Sequence, residues 1–170
     1  YGGNVTSAVT GGYAVYSGTS MATPNLAGAC AIIRTYLKRL HPDYTPVELS
    51  ALTYQLLMST ARIALNEAGD PYSPRKQGAG IADIESVLAA TAYAWTKNAD
   101  GSTSDKTKIE LGDDPEKLGR YVMTYYLTNT SADAVTYTLG EYIMTEKVSS
   151  DGLTVAERAY LFDDCKTEYK

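Results

Sequence analysis

The apolar positions of the first half of the chain follow two different periods. Asn4 to Val9 and Gly12 to Tyr16 are short, extended, β-prone runs. Thr10-Gly11-Gly12 lies between them as a turn, because glycine reaches positive φ at little steric cost. Together these runs predict a β-hairpin. After Ser17-Gly18-Thr19-Ser20 the period lengthens. Leu26, Cys30, Ile33, Leu37 and Leu40 recur at three- and four-residue spacing, the buried face of a helix running to about Leu40. Its first turns are crowded with small residues (Ala22, Ala27, Gly28, Ala29, Ala31), which let a helix approach other backbone closely and predict a position deep in a core.

A second helix is announced by Thr45-Pro46-Val47-Glu48, which combines an N-cap Thr, a Pro at the first helical position and a Glu at the third. Leu49, Leu52, Leu56 and Thr60 then share a face. Residues 66–80 read as a loop, with Gly69, Pro71, Pro74, Gly78 and Gly80. A third helix is expected from about Asp83 to Tyr93, turning Ile84, Val87, Leu88 and Thr91 inward.

Beyond Trp95 the texture changes. Asn98 to Ser104 is a polar linker. Lys108 to Leu111, Arg120 to Leu127, Ala134 to Leu139, Tyr142 to Val148 and Ala159 to Phe162 are β-prone, with Asn129 to Asp133 as a turn. Several short strands between turn signals predict an antiparallel β-sandwich. Fewer residues follow Trp95 than the ~100 of a complete sandwich, so a partial one is expected. The expected division is 1–95 and 96–170.

Charge follows the same division. Residues 1–95 carry six basic and six acidic side chains, residues 96–170 nine and fourteen, so the whole net charge of −5 lies in the second part. No basic stripe marks a nucleic-acid surface. The longest apolar run, Ala27 to Ile33, is far below the ~18–20 residues of a membrane span. A hydrophobic fraction of 44% with 21% charged residues is that of an ordinary globular chain and excludes wholesale disorder. Two cysteines, Cys30 and Cys165, are too few for a disulfide framework or a zinc site and leave the redox compartment open. Tyr1-Gly2-Gly3-Asn4 resembles no secretory leader. With no initiator Met, the chain is expected to be cut from something longer.

The segment that carries chemistry is Ser17 to Pro24. A serine where a loop becomes a helix sits at the helix's positive end, where N–H groups point outward. Its hydroxyl can attack a carbonyl while its own N–H donates to the resulting oxyanion. A lone serine there is ordinarily just an N-cap. Here, Gly18-Thr19-Ser20-Met21-Ala22-Thr23-Pro24 resembles, almost letter for letter, the nucleophile motif of the subtilisin-like serine proteases. The preceding hairpin, the small-residue helix with Ala27-Gly28, and the turn Gln77-Gly78-Ala79-Gly80-Ile81-Ala82-Asp83 before a last helix resemble that family too.

The resemblance covers residues 1 to about 95 and implies the C-terminal part of an α/β/α subtilase domain, a hairpin plus three helices. It implies Ser20 as the nucleophile, with its N–H as half of the oxyanion hole. Thr19 would help place Ser20, and Tyr16, Ser17 and Gly18 would border the substrate cleft. Met21 would be an oxidation-sensitive position. Asn25 stands where the family usually has His, a position outside the triad. The family's reaction needs no cofactor and no metal, acts on proteins or peptides, and implies a secreted or cell-surface location, here bacterial. Lys108 to Gly112, Arg120 to Leu127, Asn129-Thr130 and Tyr137-Thr138-Leu139 resemble the first strands of the fibronectin-type-III-like domain that follows the protease domain in cell-envelope subtilases.

The family's Asp, His and oxyanion-hole Asn all precede its Ser, and only 19 residues precede Ser20. Those partners would belong to an upstream part of the same domain. His41, the one histidine, lies past a helix about 30 Å long at ~1.5 Å per residue, whereas a general base must come within about 3 Å of the hydroxyl. The chain alone is therefore expected to be inactive toward peptides.

Thr96 to Thr107 only vaguely resembles a calcium loop, with Thr where acidic ligands belong, and reads as a turn. Asp113-Asp114 and Asp163-Asp164 are adjacent pairs that point to opposite faces of a strand and read as solvated turns. Two rival readings remain: a pseudoprotease or surface-binding scaffold that keeps the fold without the chemistry, and a free-standing β module with a helical cap.

Overall fold

The computed structural model describes residues 2–148, 155–161 and 168. Phe162, the pair Asp163-Asp164 and Cys165 lie outside the described residues. Its contacts form two compact units, Tyr1–Thr60 with Ala82–Thr130 and Ala61–Ile81 with Ser131–Lys170.

The first unit opens with the expected hairpin. Strands β1 (Val5–Val9) and β2 (Gly12–Tyr16) pair antiparallel, with Val9 opposite Gly12 and Val5 opposite Tyr16. Gly11, at φ 87°, turns the chain where a side chain would be strained. Helix α1 spans Thr19–Leu40, and Pro42 follows its C-cap His41. Helix α2 spans Pro46–Ser59 and has both halves of its capping box: the Thr45 hydroxyl accepts from Glu48 N, and the Glu48 carboxylate accepts from Thr45 N. One α1 side chain reaches α2 and another ties the end of α1 to the loop that follows. Arg34 Nη1 donates to Ser50 Oγ at 3.0 Å, and Lys38 Nζ donates to the carbonyls of Pro42 and Tyr44 at 2.6 and 3.1 Å.

The core is small. Ile33 and Leu37 of α1 meet Leu49, Leu52, Leu56 and Leu57 of α2 and Val87, with Cys30, Ile84, Ala90 and Tyr93 at the margin. Burying Ile33 completely contributes roughly 1.5–3 kcal/mol. The expected face of α1 is therefore buried only in its middle. Leu26 is 47% and Leu40 55% exposed, and of the small residues only Ala29 is buried. Periodicity marks the face but not its cover: among the described residues, α2 and Val87 reach only the central turns.

The last expected helix is shorter than its pattern. Helix α3 spans Ile84–Ala89, and the chain then extends into β3 (Ala92–Trp95). Leu88 and Thr91 are exposed rather than inward. The reason is pairing: β3 runs antiparallel to β4 (Tyr126–Asn129), and the ring of Trp95 stacks on that of its register partner Tyr126 at 4.4 Å. Only Tyr126 and Leu127 of the expected Arg120–Leu127 run become strand, and residues 108–111 and 134–139 form none.

The polar linker is a bonded turn. Thr96 pairs with Ser104, Asn98 with Ser102, and Thr96 is 1% exposed, its hydroxyl donating to the Lys106 carbonyl.

In the second unit, residues 61–81 close on themselves. Arg62 and Ile81 exchange backbone hydrogen bonds of 2.9 and 2.8 Å. Gly80 permits this approach, since a Cβ there would lie 2.5 Å from the Arg62 carbonyl oxygen. A single helical turn, Pro74–Gln77, falls within the expected loop. Its Gln77 accepts from Ala64 N and donates to the Tyr72 carbonyl. Met144–Val148 and Val155–Leu161 form a further antiparallel pair. The described strands thus make two-stranded antiparallel sheets, and with the helices they give the chain a mixed α and β content.

Candidate active site

The approach to Ser20 is built by the base of the hairpin. Tyr16 ends β2 opposite Val5 and is 53% exposed. The Ser17 hydroxyl accepts from Asn4 N at 2.9 Å and donates to Asn4 Oδ1 at 3.3 Å. Gly18 N then donates to the Gly2 carbonyl at 2.7 Å. Gly18 has φ 150° and ψ 175°, a backbone that favours glycine. Gly2 is equally constrained, because a Cβ there would lie 2.7 Å from the Gly18 oxygen and 2.8 Å from Ala22 Cβ.

Gly18 is the N-cap of α1. Its carbonyl receives the N–H groups of Met21 and Ala22 at 3.1 and 3.2 Å. The N–H groups of Thr19 and Ser20 precede these and stand at the positive end of the helix. Both residues are exposed. An exposed hydroxyl beside an outward N–H is the geometry required of a nucleophile that also supplies an oxyanion donor.

Further side chains brace the first turns of α1. Thr23 Oγ1 donates to the Thr19 carbonyl at 2.8 Å, and Asn25 Nδ2 donates to the Met21 carbonyl at 3.0 Å. Pro24 has no N–H to offer the Ser20 carbonyl four residues back, so the helix is loosened at Ser20 itself. Met21 is half-buried.

Tyr16, Ser17, Gly18, Thr19 and Ser20 are thus consecutive on the bend from β2 into α1. His41 is at the other end of that 22-residue helix, where its ring stacks on Tyr44 at 4.4 Å. It does not join the site.

The weaker signals are satisfied locally. Asp100 accepts from the hydroxyl and N–H of Ser102, which hold its carboxyl below the usual carboxylate range. Burial pushes the Cys30 thiol up, opposed by nearby Arg34. Among the described residues, no group of three His, Cys, Asp or Glu side chains could hold a metal ion. No helix among them is long and apolar enough to cross a membrane.

Sequence reasoning missed Gly2 and Asn4, because their partners lie 16 and 13 positions on. The one available signal was their place, just ahead of a strand that must turn back toward the serine.

Comparison with known proteins points to the same segment. Residues 1–80 match the subtilase family. The C5a peptidase of Streptococcus pyogenes is 34% identical over 135 residues, which is 72% of this chain and 11% of that protein. The PII-type proteinase of Lacticaseibacillus paracasei is 33% identical over 127 residues, 62% of this chain and 7% of that protein. The minor extracellular protease Vpr of Bacillus subtilis is 29% identical over 141 residues, 83% of this chain and 16% of that protein. The chain therefore spans roughly a tenth of the length of the relatives it matches.

Proposed function

The chain belongs to the subtilase family over residues 1–80, and from that premise we propose that it is the nucleophile-bearing portion of a serine endopeptidase. Ser20 attacks the scissile carbonyl and forms an acyl-enzyme. Its hydroxyl proton passes to a His of the upstream part of the same domain, which an upstream Asp orients, and from that His to the leaving amine. The Ser20 N–H supplies one oxyanion donor. Thr19 places the serine, and Tyr16, Ser17 and Gly18 border the cleft. The substrates are proteins or peptides, and the chemistry uses no cofactor.

The observation that carries this reading is Gly18-Thr19-Ser20-Met21-Ala22-Thr23-Pro24 set at the exposed start of α1. The upstream part is also the natural cover for the exposed apolar positions Leu26, Ile32 and Tyr36 of that helix. Residues 96–170 are proposed as a following fibronectin-III-like β domain on their sequence pattern. The bacterial relatives, one named as extracellular, support a secreted or cell-surface location.

The experiment is to treat the full-length protein with a serine-directed fluorophosphonate and to follow hydrolysis of a peptide ester. Labelling of Ser20 and turnover that is lost in Ser20→Ala support the reading. A full-length protein that neither labels nor turns over is instead a scaffold that has kept only the fold.

A further inference from the structure

We propose that Asn4 is a positioning residue for Ser20, acting through Ser17. This rests on the nucleophile assignment above and adds to it a device at the base of the hairpin.

Three observations converge on Asn4. First, it makes a reciprocal pair with Ser17: Asn4 Oδ1 accepts from the Ser17 hydroxyl, and the Asn4 backbone N–H donates to Ser17 Oγ. Second, it stands at φ 51°, a left-handed backbone that Asn tolerates and most side chains do not. One residue thus meets both the backbone and the side-chain demand of that position. Third, the residue after Ser17 is also held from the same segment, because Gly18 N donates to the Gly2 carbonyl at 2.7 Å. The segment 2–4 therefore grips residues 17 and 18 at two successive points.

Residues 17 and 18 are the last before the helix that carries Ser20. The Gly18 carbonyl is the acceptor that starts α1, bonding Met21 N and Ala22 N. Where that carbonyl lies sets the direction of the first turn, and with it the aim of the Ser20 hydroxyl and N–H. If Ser17 is released, Gly18 keeps one anchor instead of two and the first turn gains freedom. The pair is exposed, so its removal perturbs the aim of the serine far more than the stability of the fold.

The test compares variants of the full-length protein. Asn4→Gly removes the side chain and keeps the left-handed backbone, and Asn4→Asp keeps the acceptor for the Ser17 hydroxyl. On a small peptide ester, Asn4→Gly is expected to lower kcat by about 10- to 100-fold with little change in KM, the size of effect that misplacement of a reacting group produces. Asn4→Asp restores most of kcat. Ser17→Ala also removes the acceptor of the Asn4 N–H and is expected to lose at least as much kcat, and the double variant loses no more than Ser17→Ala alone. If Asn4→Gly does not fold, Ser17→Ala carries the test.

Wild-type kcat in Asn4→Gly overturns the inference. So does equal impairment in Asn4→Asp, or a loss of kcat that only tracks the fraction unfolded. Absence of fluorophosphonate labelling at Ser20 in the unaltered protein overturns the protease reading and this inference with it. Labelling of Ser20 at an unchanged rate in Asn4→Gly overturns the positioning role alone.

Discussion

Gln55 Nε2 donates to the Ser104 carbonyl at 2.6 Å, and both residues are buried. That bond ties the polar turn after β3 to the core face of α2. Gln55→Leu keeps comparable bulk but leaves a buried carbonyl without its donor. The expected cost is about 1–3 kcal/mol, read as a lower urea midpoint. An unchanged midpoint would show that the turn contributes nothing to the stability of α2.

Ile33 and Ile32 are neighbours on α1 with opposite surroundings, one at 0% and the other at 55% exposure. Ile33→Ala opens a cavity and is expected to cost about 2–5 kcal/mol. Ile32→Ala in the 170-residue chain is expected to stay within about 0.5 kcal/mol of the parent. In the full-length protein, where the proposed upstream part packs on this face, Ile32→Ala should cost substantially more. Equal effects of Ile32→Ala in both contexts would count against that packing.

Gly2 and Gly18 cannot be exchanged for alanine without movement. A methyl group at Gly2 meets the Gly18 oxygen, and Gly18 has φ 150°. Strain of this kind costs about 1–3 kcal/mol, and it falls on the residues that lead to Ser20. Gly2→Ala and Gly18→Ala should lower peptidase activity of the full-length protein. Gly3→Ala, where the space is open, should not. Activity profiles that do not separate Gly2→Ala from Gly3→Ala would refute the close approach.

Thr45 and Glu48 give the second helix a pH signature. The backbone and side-chain hydrogen bonds from Thr45 hold the Glu48 carboxyl below its ordinary value. Its folded pKa is therefore lower than its unfolded one. The stabilisation is fully present above the unfolded value, near 4.3, and is lost as pH falls through the folded value. Glu48→Gln should flatten this part of the acid limb in a plot of Tm against pH. Thr45→Ala should cost about 1 kcal/mol at neutral pH.

The 170-residue chain by itself should leave peptide esters intact, because His41 is at the far end of α1 from Ser20. Ester turnover by this chain that disappears in Ser20→Ala would show that some other group activates the serine.

Local chemistry accounts for the parts of the molecule that could be read in advance. The hairpin follows from Gly11 and the alternating runs around it. Helix α2 follows from Thr45, Pro46 and Glu48, whose interactions span three residues. Ser20 could be singled out because a nucleophile motif is a run of adjacent residues. The α3 boundary, the shift of β4 to Tyr126–Asn129 and the exposure of Leu26 and Leu40 could not be read this way. Each depends on a partner far along the chain, as Trp95 depends on Tyr126.

The same distinction holds at the bend that leads to Ser20. Adjacent residues specify that Ser20 begins a helix and that Gly18 precedes it. The orientation of that helix start is set by Gly2 and Asn4, through hydrogen bonds to Gly18 and Ser17 that form only when the hairpin has closed. Propensity and motif act over a few residues and survive in the unfolded chain. Close approach, register and burial exist only between segments that folding has brought together.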